Sequence, residues 1–443
     1  MKNLNIPVGI SDFEKIRREG FYYIDKTGLV KELLNPKPAE VTLITRPRRF
    51  GKTLAMSMLE NFFDIKKNSR DLFAGLEISA SEKLCSQWMN QCPTVSLSFR
   101  QVDGLDFSSA YDMLTMVISN LFNRHRYLLE SQEISEFQKT AFVQIASQKA
   151  TAGEIKNSLI LLTDMMQTYY GKKVLLLVDE YDVPVAKANN NGYYEEMLDV
   201  MKGLMQALKD NRALGFAVVT GCMKIAKESI FTGTNNFVSD TIADSRLNEY
   251  FGFVQREVDQ ILADGEITDK RELIKQWYDG YHFGDWDVYC PWDVMNYVLE
   301  LQHNPQAKPA GYWKNTSDNA IIRSFIDYAG GSITRKLEIL MEGGYIIQQI
   351  DKNLTYDYLH SSEDNLWSVL YLTGYLTQVR PETLNRELPA GSAALQIPNA
   401  EIREIFETTV IRWFDDSAKT WNRNHLFAAV WKGDSEAVTK EMT

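Results

Sequence analysis

Cysteine, histidine, long apolar runs and positive charge are all scarce in this chain, and each scarcity removes a class of protein. Four of the 443 residues are cysteine (Cys85, Cys92, Cys222 and Cys290), with no Cys-x-x-Cys pair among them, so neither a disulfide framework nor a zinc ribbon is encoded. The five histidines are scattered and lack the His-Glu-x-x-His spacing of a metalloprotease. No apolar stretch approaches the ~18 residues of a membrane-spanning helix. The segment Met1 to Val8 likewise carries no apolar core of signal-peptide length. Lys and Arg number 48 against 59 Asp and Glu. The net charge of −11 argues against a broadly basic nucleic-acid surface while leaving room for a local basic groove. What is present, 44% hydrophobic and 24% charged residues, is the composition of a globular protein with a large core and two or three domains. A reduced, cytoplasmic protein with no membrane partner is the expectation.

The most informative stretch is Val41 to Thr53. Val41 to Thr45 is a short β-branched apolar run of the kind that makes a buried strand. A turn with Pro47 and Gly51 follows, and then Leu54, Met58, Leu59, Phe62 and Phe63 recur at helical spacing, which starts a helix near Gly51. Strand, turn, Gly-Lys-Thr and helix is the layout of a phosphate loop. Backbone N–H groups and the helix dipole hold phosphate, a lysine reaches the β/γ oxygens, and a hydroxyl ligates magnesium. Lys52 and Thr53 fill the last two roles, within a binding stretch running Arg46, Pro47, Arg48, Arg49, Phe50, Gly51, Lys52, Thr53 and Leu54. One position departs from Gly-x4-Gly-Lys-Ser/Thr: Arg46 stands where the pattern has glycine. Glycine permits positive φ and close backbone approach, so the loop must be shaped differently, with Pro47 a candidate for fixing the turn. The competing reading is a strand followed by a solvated basic loop.

A second signal is Val174-Leu175-Leu176-Leu177-Val178-Asp179-Glu180-Tyr181-Asp182, consecutive aliphatics ending in acids. That is a central parallel strand with carboxylates at its C-terminal edge, where ligands sit in open α/β sheets. In this Walker B pattern Asp179 holds magnesium and Glu180 orients and deprotonates the attacking water. Without Lys52 upstream, an ordinary core strand ending in an acidic turn would be the better reading. A third strand, Gly215 to Gly221, puts Thr220 at the same edge, placed to sense the γ-phosphate or the lytic water. Lys224 and Lys227, just beyond, are further candidate cations, although surface lysines are common. With Pro93 to Phe99 as another strand and a helical period over 107 to 170, the fold class is α/β: a parallel sheet covered by helices.

Upstream, Gly9 to Phe13 reads as a turn into a short helix capped by Ser11 or Asp12, and Tyr22 to Thr27 as a short extended piece followed by a helix ending before Pro36. That segment could reach a nucleotide base or merely cover a sheet edge. From about residue 240 aromatics multiply: Tyr250, Phe251 and Phe253, then Trp277 to Phe283, Trp292, and Trp313 with Lys314 to Thr316. Packing is a better reading of such clusters than a base-stacking platform. Beyond residue 330, helices alternate with extended pieces at Tyr345 to Ile350, Leu354 to Tyr358 and Tyr375 to Val379, which suggests a winged-helix-like module. The domain plan is 1–240 for the ATP-binding unit, 241–330 for a helical lid-like region and 331–443 for the helical and winged-helix-like region. The helical period over 426–443 stops without Gly, Pro or another closing signal, which looks like a cut chain.

With these residues assembled, the chain resembles the bacterial AAA-ATPase-like proteins that carry a C-terminal PD-(D/E)xK-type nuclease domain. The matching blocks are Ile6 to Phe13, Tyr23 to Thr27, Arg46 to Thr53, Val178 to Asp182, Lys227 to Phe231 with Asn235 and Asn236, Trp277 to Tyr281, Gly374 to Thr377, and Ile397 to Asn399. The resemblance covers nearly the whole chain and accounts for Arg46, because phosphate loops of this group normally lack the first glycine. It implies ATP and Mg2+ as ligands, a DNA or protein partner, and homo-oligomerisation by analogy with ring ATPases. It fixes no arginine finger. In the family the nuclease follows the helix matching residues 424–443; here nothing follows Thr443, and no nuclease site is expected in this chain. The tempting Glu154-Ile155-Lys156 lies in a helical stretch without β context.

Overall fold

The computed structural model describes residues 2–35, 37–209, 211–224, 237–313, 331–352, 354, 362–384 and 387–409. Lys227 with its block through Phe231, Asn235 and Asn236, the stretch Lys314 to Thr316, most of the extended piece at 354–358 and the period over 426–443 lie outside these residues.

The first half is built on five strands: β1 (Val41–Thr45), β2 (Thr94–Ser98), β3 (Val174–Asp179), β4 (Leu214–Gly221) and β5 (Phe237–Asp240). They run in the order β2-β3-β4-β1-β5, and every pairing is parallel. The strands read as aliphatic runs because both faces are covered: all of β1 and β3 is buried. The pleat splits each strand between two cores. Val95, Leu97, Leu176 and Val178 face the helices Phe107–Arg124, Glu136–Ala146 and Ser158–Tyr170. Leu175, Leu177, Phe216 and Val218 face the helix Lys52–Phe63 and the N-terminal helices. β5 has no counterpart in the sequence reading. Its Phe-Val-Ser-Asp stretch is too short and too polar to announce a strand, and pairing with β1 creates it.

Local chemistry sets the helix ends. Asp12 caps Phe13–Arg18 by accepting from the Lys15 N–H. Between residues 107 and 170 the helical stretch is interrupted at polar residues that serve as N-caps. Ser135 and Gln138 form one reciprocal capping box, Thr151 and Glu154 another. Glu154 is therefore a capping residue, and Lys156 pairs with Asp199, so the Glu-Ile-Lys sequence is structural.

The later half packs helices around two small antiparallel sheets: the hairpin β6 (Tyr281–Phe283) with β7 (Trp286–Val288), and a three-stranded sheet. The latter joins β8 (Ile346–Gln349), β9 (Thr377–Gln378) and β10 (Ser392–Gln396) in the order β8-β10-β9. β10, Ser-Ala-Ala-Leu-Gln, went unanticipated because small residues carry little strand signal. The aromatic clusters are packing, as read: Phe251, Tyr278, Tyr281, Phe283 and Trp313 are all buried.

Candidate functional site

The phosphate loop leaves β1 at Thr45 and closes at Gly51, the N-cap of the helix Lys52–Phe63. Gly51 has φ +87° and Arg49 has φ +74°, so the positive-φ positions lie at the end of the loop and not at its start. Position 46 needs no glycine for this path. Its arginine is fully buried: one guanidinium nitrogen donates to the carbonyls of Thr45 and Asp240, both at 2.8 Å, and the other to that of Arg246 at 3.3 Å. The group also lies 5.4 Å from the Phe251 ring centroid. Burial pushes its pKa down to about 10 against the pull of Asp240 and Asp244, which leaves it cationic at neutral pH. In this arrangement the Arg46 side chain ties the end of β1 to the end of β5.

Lys52 arches back over the loop. Its ammonium donates to the carbonyls of Arg46 (3.0 Å) and Pro47 (3.1 Å) and lies 3.6 Å from Cys222 Sγ and 3.7 Å from Glu180 Oε1. Burial works against that charge, but Cys222, Glu180, Asp182 and Asp179 together outweigh it and hold the pKa above the ordinary lysine value. The Cys222 thiol is itself pushed up to about 12 by burial and is neutral near pH 7, so the three carboxylates carry the effect.

Thr53, one residue on, donates from its hydroxyl to Asp179 Oδ2 at 3.0 Å. Asp179 ends β3 and is nearly enclosed. Ser98 Oγ at the end of β2 donates to Oδ2 at 3.3 Å, and Thr220 Oγ1 at the end of β4 donates to Oδ1 at 2.7 Å. Burial and then the neighbouring Glu180 raise its pKa, which the Thr220 and Thr53 hydroxyls partly counter. Thr220 is fully buried and its hydroxyl points at Asp179, so in this arrangement it orients the carboxylate. Glu180 follows at φ +52°, a left-handed conformation that costs a non-glycine residue about 1 kcal/mol or more and recurs at functional positions. The twist swings its carboxylate toward Lys52.

Two neighbours had no role in the sequence reading. Asp182 is buried and accepts the backbone N–H groups of Cys222 (2.9 Å) and Met223 (3.0 Å), while the Tyr181 hydroxyl donates to the Met223 carbonyl at 3.1 Å. These bonds clamp the segment after β3 to the segment after β4. Ser98 was legible in principle, because strand pairing sets it opposite Asp179. Lys224 lies near Asp244 and Asp351, and burial lowers its pKa.

The rest of the loop faces the later half. Phe50 is buried, with ring centroids of Tyr281 and Phe283 each 5.0 Å away. The Arg49 guanidinium sits 4.1 Å from the Trp292 ring centroid. A Cβ added to Gly374 would stand 3.0 Å from Pro47. Leu54 packs at the margin of the core beneath its helix, and Arg48 is partly exposed at the loop turn.

Among the described residues no group of three His, Cys, Asp or Glu side chains is arranged to hold a metal by itself. A hydroxyl and a carboxylate oxygen 3.0 Å apart suit Mg2+, which takes oxygen donors, retains waters and shares substrate phosphates. The donor chemistry of Thr53 and Asp179 fits that ion.

A parallel sheet whose first loop ends in Gly-Lys-Thr, and whose neighbouring strand delivers Asp-Glu to the same edge, defines a P-loop type of α/β protein. The chain belongs to the AAA-ATPase-like family: the family's model, described as Predicted AAA-ATPase, matches residues 7–231. It is similar to an uncharacterized protein in the vnfD 5' region of Azotobacter chroococcum mcd 1, at 26% identity over 426 residues, covering 94% of this chain and 72% of that one. No solved structure matches. Among the described residues no helix is long and apolar enough to cross a membrane.

Proposed function

We propose that this protein binds and hydrolyses ATP with magnesium and uses the nucleotide state to drive an activity directed at DNA or another protein. The observation that carries the reading is convergence. Lys52 and Thr53 from the first loop meet Asp179 and Glu180 from the end of β3 within 3.0 to 3.7 Å, at the sheet edge where ligands bind. Family membership points the same way.

In this reading the first-turn N–H groups of the helix Lys52–Phe63, which lack intrahelical acceptors, cradle the phosphates. The Lys52 ammonium moves from loop carbonyls to phosphate oxygens. Thr53 and Asp179 hold Mg2+, which when bound neutralises charge on the phosphate oxygens, and Ser98 and Thr220 fix the Asp179 carboxylate. Glu180 takes the proton of the attacking water. Residues 1–240 form the ATP-holding unit, 241–330 act as a lid-like region, and 331–443 serve the partner. The test is calorimetric titration of ATP with magnesium. Lys52→Ala should lose at least about tenfold in affinity, since a charge-assisted contact contributes about 1.5–3 kcal/mol; unchanged affinity contradicts the assignment.

A second reading has a specific observation behind it. Pro47, Arg49 and Phe50 all pack on residues of the later half, so a change of loop shape would be felt there directly. A nucleotide-gated DNA- or protein-binding module with little turnover uses that coupling. Salt-dependent DNA binding that appears only with ATP supports it, and binding indifferent to nucleotide counts against it. A homo-oligomer, if it forms, is visible as a nucleotide-dependent mass in light scattering.

A further inference from the structure

We propose that Arg100 is a catalytic residue of the same site, supplied by this chain itself, which stabilises the charge that develops on the transferred phosphoryl group. The proposal rests on the ATPase reading above and names a contact that reading leaves open.

The placement follows from the sheet. β2 lies beside β3 with Ser98 opposite Asp179, and the ladder runs one step further through the Phe99 N–H to the Asp179 carbonyl, 3.0 Å. Along this strand Val95, Leu97 and Phe99 enter the core on the face away from the helix Lys52–Phe63. The alternating pair, Ser96 and Ser98, takes the other face, by the two-residue period of the pleat, and Arg100 stands in the turn that the Val102 N–H closes on the Phe99 carbonyl at 2.9 Å. Ser98 confirms that direction, since its hydroxyl reaches the Asp179 carboxylate that Thr53 also contacts. Arg100 follows just past the sheet edge, where its backbone N–H is pinned to Ser98 Oγ at 3.3 Å, beside the carboxylate that Ser98 and Thr53 share.

Its electrostatic setting points to an anion. Arg100 is exposed, and among the described residues its guanidinium makes no hydrogen bond or ion pair. Its charge is felt by Arg49 in the phosphate loop, whose charged guanidinium is disfavoured first by burial and also by Arg100 and Arg48, with Cys290 and Asp293 acting the other way. Positive charge on either side of Arg49 is held close to it at a cost, which an anion nearby relieves. Lys52 and Arg49 are already engaged, with loop carbonyls and with Trp292 respectively. Arg100 is the cation free to follow charge that appears only as the γ-phosphoryl group leaves, and charge stabilised in the transition state alone raises kcat without tightening ground-state binding.

The experiment compares wild type, Arg100→Ala and Arg100→Lys for ADP affinity and for kcat and KM in ATP hydrolysis, with thermal melts to confirm folding. Arg100→Ala should lose about 10²–10³ in kcat, with KM and ADP affinity within about threefold of wild type. Arg100→Lys should fall between, because it keeps the charge but not the planar fork. Free guanidinium added at millimolar concentration should restore part of the activity of Arg100→Ala and none of that of Lys52→Ala, a rescue that a purely structural role would not give. Unchanged kcat in Arg100→Ala beside an active wild type overturns this proposal and leaves the ATPase reading standing. Loss of ADP binding in Arg100→Ala also overturns it, by making the residue a ground-state anchor. A wild type that neither binds nor turns over nucleotide removes both readings.

Discussion

Replacing Arg46 by glycine would restore the consensus phosphate-loop letter, and the structure predicts that the restoration is harmful. The guanidinium makes hydrogen bonds to the Thr45, Asp240 and Arg246 carbonyls from a fully buried position. Glycine deletes all three, leaves those acceptors in a low-dielectric interior and opens a cavity beneath Phe251. Hydrogen bonds to a charged donor are worth about 1.5–3 kcal/mol each, and buried acceptors left unpaired cost about 1–3 kcal/mol. Removing the arginine also removes its own desolvation cost, visible in its lowered pKa, so the sum is reduced to about 3–5 kcal/mol, the range for a disrupted buried polar network. For a unit of this size that is roughly 6–20 °C in melting temperature. The assay is thermal unfolding of Arg46→Gly beside Arg46→Lys, which retains charge but not the fork. ATP affinity is measured in parallel, because the end of β1 carries the loop. A melting temperature within about 2 °C of wild type with undiminished ATP binding would refute the strut, and the free glycine position of ordinary phosphate loops would then apply here as well.

Two further predictions concern carboxylates. Thr220→Val keeps the shape of the buried side chain and deletes the bond to Asp179 Oδ1; magnesium affinity in the ATPase assay should fall about 3–10-fold, near the ~1 kcal/mol of one hydrogen bond, while unchanged affinity would separate Thr220 from the metal site. Asp293 and Glu401 are buried together in the later half, and burial first, then the proximity of Asp293, holds Glu401 well above the usual carboxylate range. A group whose folded pKa is raised contributes stability that is full below its unfolded pKa and is lost as pH rises. Glu401→Gln should therefore gain on wild type as pH rises above about 4.3, by at most about 1.4 kcal/mol per unit. Parallel pH–stability curves for the two proteins would contradict the buried acid pair.

The legible parts of this molecule were those where chemistry and period coincide in a short window. The strands Val41–Thr45 and Val174–Asp179 are aliphatic because both their faces are covered, and the helix after Gly51 announces itself by spacing. Ser135 and Thr151 mark helix starts through side chains that bond their own backbone. Other features arise from partners distant in sequence. β5 exists as a strand because β1 lies beside it. The role of Arg46 depends on carbonyls about two hundred residues away, and nothing in its neighbours distinguishes a buried strut from a phosphate ligand. Ser98 and Asp182 become part of the site only when strand order sets β2 and β4 on either side of β3. Glu180 was legible as an acid at a strand end, but its left-handed backbone was not.

The most direct test of the central claim is steady-state ATP hydrolysis with magnesium by wild type and by Glu180→Gln, with ATP binding measured on the same samples. The account predicts that wild type turns over, and that Glu180→Gln binds ATP within about threefold of wild type while losing at least about a hundredfold in kcat, the scale of a general base. Hydrolysis by Glu180→Gln at the wild-type rate would contradict the arrangement in which the end of β3 activates the water.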